Sequence, residues 1–65
     1  MCDTFIDGIW VSVQYLVLSV YQPTTARDLI RDVGLNVRQC VKAQKRSLYR
    51  HWEMMKFIND YLKEE

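Results

Sequence analysis

Only three of the 65 residues are of the kinds that interrupt a chain cheaply: Gly8, Pro23 and Gly34. A sandwich or barrel needs many short strands joined by Gly- and Pro-rich turns, and this chain has almost no turn chemistry to offer. From Leu35 to Glu65 neither residue occurs. The scarcity predicts an all-α fold, a bundle of three or four helices forming a single domain over residues 1–65. A chain of this length removes only about 60% of its unfolded surface from water. The 49% hydrophobic content therefore exceeds what so small an interior can hide, and a self-association surface is expected.

Hydrophobic periodicity places the helices. Between about Thr4 and Tyr21, the residues Ile6, Ile9, Trp10, Val13, Leu16, Val17 and Val20 recur at i, i+3, i+4 spacing on one face, with Asp3 or Thr4 as the cap. WVSVQY within this segment alternates as a strand would, but a run about three times the length of a typical strand favours the helix. Val11, Tyr15 and Leu18 form a second apolar stripe on its other side. Gln22-Pro23 ends the element, because the residue before a proline is pushed out of the α region. Thr25, followed by Asp28 three residues on, reads as the next cap, with a helix over about Ala26–Val33 that buries Leu29, Ile30 and Val33. Gly34 supplies a left-handed end, Leu35 returns to the core, and Asn36 with Gln39 forms a second set of start signals. From Val37 to about Leu62 nothing forces a break. One continuous helix and two helices parted near Ser47–Arg50 are both open. In the second case Leu48, Trp52, Met55, Ile58 and Leu62 share a face, while Met54, Phe57 and Tyr61 widen the apolar arc beyond what one partner covers.

The formal net charge of +1 conceals a segregated distribution. Residues 24–50 hold Arg27, Arg31, Arg38, Lys42, Lys45, Arg46 and Arg50 against Asp28 and Asp32, so the middle of the chain is strongly positive between two acidic ends. Such a patch is an electrostatic footprint for a polyanion. Enzymatic function is not expected: no carboxylate pair, Ser-His-Asp set or Gly-rich phosphate loop occurs. No metal or other cofactor is expected either. Cys2 and Cys40 are far apart without CxxC spacing, and His51 is the single histidine, whereas a structural zinc takes four such ligands. His51, beside Trp52, reads as a surface or boundary residue. The acidic start MCDTFIDG and the polar Ser12, Gln14 and Ser19 within the apolar run argue against a signal peptide and a membrane span. The expectation is a protein of the reducing cytoplasm with two free thiols.

The run P-x-T-A-x-x-L-x-x-x-x-G-L-x-x-R-x-C-V, carried by Pro23, Thr25, Ala26, Leu29, Gly34, Leu35, Arg38, Cys40 and Val41 and followed by Ala43, resembles the helix-turn-helix superfamily of DNA-binding proteins, in its winged-helix style. The resemblance covers about residues 23–48, with a helix-turn-helix core at about 25–46. It departs from the winged pattern after Leu48: a wing needs a hairpin with Gly or Asn turn residues, and RHWEMMKFINDYLKEE reads as helix, so no wing is expected. The resemblance implies that residues 37–46 form a recognition helix whose first turn enters the major groove of duplex DNA. Arg38 and Gln39 would then present planar forks to base edges. Lys42, Lys45 and Arg46 would contact phosphates, with Tyr49 beside them. It also implies a small regulator of the kind common in mobile elements and phages.

A homodimer suits such a reader, since symmetry doubles the contacts of a small module. The apolar stripes Val11, Tyr15 and Leu18 on the first helix, and Met54, Phe57 and Tyr61 on the last, either pack on each other within one chain or form the two-fold interface, and the dimer is favoured. The competing expectation is a protein-interaction module, an inhibitor or adaptor that binds a partner protein through its Met and aromatic surface. Nonspecific RNA binding is a weaker third.

Overall fold

The computed structural model describes residues 2–63 and shows an all-α bundle: α1 (Asp3–Leu18), α2 (Pro23–Val33), α3 (Val37–Ser47), α4 (His51–Phe57), and a π-helical turn, Ile58–Leu62, that continues α4. α1 packs against α2 and α3, and the C-terminal segment closes over all three. One core results. Ile6, Trp10 and Val13 line the inner face of α1, Ala26 and Ile30 that of α2, and Cys40 and Ala43 that of α3, with Leu35, Met54, Phe57 and Ile58 completing it. Each helix contributes a stripe at three- and four-residue spacing, and burial of these stripes from water is the main force holding the bundle.

α1 starts at Asp3 with Cys2 at its N-cap and no side-chain cap, so neither Asp3 nor Thr4 acts as the expected cap. It ends at Leu18, short of the expected Tyr21. With no glycine near, Tyr21 itself takes the left-handed conformation (φ 59°), and the Gln22 N–H donates back to the Leu16 carbonyl at 2.8 Å. Val20, expected on the inner face, lies in this turn and is exposed. α2 starts at Pro23, three residues before the expected Ala26, because a proline at the first helical position has its φ preset and lacks only an N–H that would have no partner there. Thr25 therefore sits inside the first turn and caps nothing.

The turn from α2 to α3 is as expected. Gly34 is left-handed (φ 90°), and its N–H donates to the Ile30 and Arg31 carbonyls. The Gln39 N–H donates to Asn36 Oδ1 at 2.8 Å while the Asn36 N–H donates to Gln39 Oε1 at 2.9 Å, a complete capping box. Between α3 and α4 the chain does break. Leu48 (φ 58°) and Arg50 (φ 47°) are both left-handed, without a glycine at either position.

Candidate nucleic-acid interface

The α3 helix is divided along its length. Cys40, Ala43 and Gln44 are buried, whereas Arg38, Lys42, Lys45 and Arg46 are exposed. At 100° per residue those four cations fall within an arc of about 100°, so the positive charge occupies one outward face. Arg38 lies one turn after the Gly34 corner, and Lys45 and Arg46 lie just before the second corner. The short turn and the Asn36 cap thus set where the face begins.

The four cations are not equivalent. Arg46 holds Asp7 of α1 with its Nη2 2.6 Å from Oδ1 and its Nε 2.9 Å and 3.2 Å from the two carboxylate oxygens. That hydrogen bond, with the carboxylate's charge, pushes the guanidinium pKa above its ordinary value. Arg46, expected on phosphate, is therefore engaged as a strap between α3 and α1. Among the described residues no acid pairs with Arg38, Lys42 or Lys45. Gln39, expected to present its carboxamide to a base, instead uses its oxygen in the capping box, and only its amide nitrogen is left for other contacts. Tyr49 lies outside α3, exposed in the second corner. Arg50, in the same corner, donates to Glu53 at 2.6 Å, which raises the arginine pKa and lowers that of the carboxyl.

The underside of the basic face is organised by Gln44, which is fully buried. Its Oε1 accepts from Trp10 Nε1 at 2.8 Å and from Gln14 Nε2 at 3.2 Å, and its Nε2 donates to the Tyr49 carbonyl at 3.1 Å and lies 3.3 Å from His51 Nδ1. Gln14 also donates to Ser47 Oγ, which in turn accepts the Tyr49 N–H. One buried carboxamide thus ties α1 to α3 and pins the start of α4. In the sequence it stands beside Lys45 and Arg46 and reads as part of the polar run. The signal was its place on the periodic stripe with Cys40, Ala43 and Ser47, a polar residue at a core position. The Asp7–Arg46 strap joins residues 39 apart in sequence, and no local pattern marks it. His51 is half-buried at the boundary, its ring edge-on to Trp52 with centroids 5.9 Å apart.

The expected apolar interface is only partly on the surface. Val11 and Tyr15 are exposed, at 63% and 62%, and line a shallow groove of about 320 Å³ with Leu18 and Tyr49. Leu18 is half-buried. Met54 and Phe57 are core residues, at 0% and 3% exposure, so the outward stripe proposed for them does not exist in the folded chain. Tyr61 is half-buried and stacks on Phe57, with ring centroids 5.5 Å apart. The physical reason is the second corner: by turning α4 back over the bundle it brings Met54 and Phe57 inward. The two stripes therefore do not pack on each other within the chain: Met54 and Phe57 enter the core while Val11 and Tyr15 stay exposed.

Among the described residues no group of three or more His, Cys, Asp or Glu side chains is placed to hold a metal ion, and no helix is long and apolar enough to cross a membrane. Cys2 is exposed and Cys40 buried, both unpaired, and burial pushes the Cys40 thiol up to about 11. No protein-family model matches the chain, and neither the curated proteins nor the solved structures contain a significant match.

Proposed function

We propose that the protein is a small DNA-binding regulator whose α3 helix reads duplex DNA. The observation that carries this reading is the exposed face of Arg38, Lys42 and Lys45, three cations without an acidic partner among the described residues, on a helix that starts from a tight Gly34–Asn36 turn. Two consecutive helices joined by such a turn suit the helix-turn-helix resemblance, in which the second helix enters the major groove. Arg38, nearest the turn, is the candidate for a bidentate contact to guanine. Lys42 and Lys45 are compact charges suited to phosphate, which supplies affinity and little sequence information.

The test is a salt titration of binding to duplex DNA. The two phosphate-neutralising cations, Lys42 and Lys45, give a slope of log K against log[salt] of about −1.8. Lys42→Ala and Lys45→Ala each reduce its magnitude by about 0.9 and weaken binding to all sequences alike, whereas Arg38→Ala also relaxes sequence preference. A flat salt dependence, or unchanged affinity in the Arg38, Lys42 and Lys45 triple alanine variant, refutes the reading.

The exposed Val11 and Tyr15 favour a second reading, a module that binds a partner protein through the groove they line. Its signature is a stoichiometric protein partner that is lost on Tyr15→Ala while DNA binding is absent from the parent chain.

A further inference from the structure

The corner between α3 and α4 is unusual for its composition. It is three residues long, and two of them, Leu48 and Arg50, hold the left-handed backbone that side chains disfavour, with no glycine or proline anywhere from Leu35 to the C-terminus. Leu and Arg are both strong helix formers. The local sequence therefore prefers to run straight through the corner, and the bend is imposed by what lies beyond it. That is the burial of Met54, Phe57 and Ile58, together with the hydrogen bond from Gln44 Nε2 to the Tyr49 carbonyl.

A straightened α3–α4 helix would have a further property. Val41, Leu48, Met55 and Leu62 recur at intervals of seven, the spacing that keeps an apolar seam facing a partner helix over several turns. In the bent chain this seam is interrupted at Leu48, which is left 63% exposed, with Trp52 one turn on at 84%. A continuous helix over residues 37–62 would be about 39 Å long at 1.5 Å per residue, well beyond the 27 Å longest dimension of the folded chain. It cannot close over its own core. Only an identical core can take the same Met54, Phe57 and Ile58, and only a second copy of this chain has one.

We propose that residues 48–50 are a hinge through which two copies exchange their C-terminal segments, residues 51–62 of each chain closing the core of the other. In the exchanged dimer α3 and α4 form one helix, the left-handed strain at Leu48 and Arg50 is released, and the two straightened helices meet along the stripe that includes Leu48 and Trp52. Short strained hinges favour this route to a dimer because every core contact of the monomer is regained. Met54 and Phe57, core residues of one chain, then lie between subunits.

Two opposed hinge variants test this by sedimentation across a concentration series. Leu48→Ala with Arg50→Ala keeps the helical preference and the left-handed penalty, so its dimer should persist. Leu48→Gly with Arg50→Gly removes the penalty of the bend, so its dimer should be at least tenfold weaker than that of the alanine pair, which lacks the same Leu48 side chain and so isolates the backbone effect. In a Cys2→Ser background, spin labels at positions 38 and 59 of one chain, diluted with unlabelled chains, should read about 32 Å along a straight helix in the dimer. Three results overturn the proposal: a parent chain and an alanine pair that both stay monomeric, a dimer equally strong in the alanine and glycine pairs, or a dimer whose 38–59 distance equals that of the monomer. If the alanine pair fails to fold, the glycine pair and the label distance in the parent chain still decide it.

Discussion

The chain turns twice between its last three helices, and the two corners are made of different materials. At Gly34–Asn36 every step follows from local chemistry: a glycine takes the left-handed position, and an asparagine and a glutamine three residues apart cap the following helix. At Leu48–Arg50 the residues are wrong for a turn, and the geometry is held by a buried carboxamide contacting Tyr49 and His51 and by the core beyond. The first corner is a local structure that the bundle accepts; the second is a consequence of the bundle. The difference matters for the candidate interface, because α3 runs between them and its basic face begins at the self-sufficient end.

The largest expected effect breaks the second corner through Gln44. Gln44→Ala leaves the buried Trp10 indole N–H without its acceptor, opens a void and frees the Tyr49 carbonyl, at a cost of about 3 kcal/mol in chemical denaturation. Asn36→Ala, which removes the cap at the first corner, costs about 1 kcal/mol. If Gln44→Ala proves no more costly than Asn36→Ala, the second corner is not held by the carboxamide.

Cys40 sits on α3 between the corners, fully buried, and reports on the core they share. Its folded-state pKa of about 11 lies above the ordinary 9.0. The folded chain thus retains a proton that the unfolded chain loses, so stability is full below pH 9 and falls as pH rises from 9 toward 11. The loss is about 2–3 kcal/mol, since a tenfold difference in proton affinity between the two states corresponds to about 1.4 kcal/mol. Other groups titrate in the same range, so the measurement is the difference between the parent chain and Cys40→Ala, which should lack this component.

Exchanging backbone freedom between the corners should give opposite signs. Gly34→Ala forces a side chain into the left-handed region and destabilises by about 1–2 kcal/mol. Leu48→Gly releases the same penalty, and after the extra entropy of an unfolded glycine is subtracted the gain is about 0.5–1 kcal/mol. Equal signs in thermal or chemical denaturation would mean that the left-handed residues at the second corner cost nothing, and the contrast between the corners would fail.

What could be read in advance follows the same division. The all-α fold, the left-handed Gly34 and the Asn36–Gln39 capping box are local, and the sequence shows them directly. The start of α2 at Pro23 was also written locally, but a threonine-aspartate pair two residues later offered a competing cap. The break at Leu48, the inward placement of Met54 and Phe57, and the engagement of Arg46 by Asp7 depend on contacts between distant residues, and periodicity carries none of them. Gln44 lies between the two cases. Its position on the buried stripe was visible, but beside Lys45 and Arg46 it reads as one more polar residue of a solvated run.

The smallest expected effect on stability concerns the charge at the two ends of α3. Arg38, after the first corner, has no acidic partner among the described residues, whereas Arg46, before the second, is committed to Asp7. Asp7→Asn keeps the size of the side chain and removes the charge that holds the guanidinium. Because both partners lie at the surface, stability should change less than in any variant above. Under the proposed DNA-binding function, affinity for duplex DNA should move more. A released Arg46 adds a fourth cation to the face of Arg38, Lys42 and Lys45, and the salt slope should steepen by about 0.9 if it reaches a phosphate. An unchanged slope with unchanged affinity would assign Arg46 to the strap alone and confine the proposed DNA-facing charge to three residues. Affinity that falls on Asp7→Asn would mean that the strap positions α3, and that the second corner shapes the interface as much as the first.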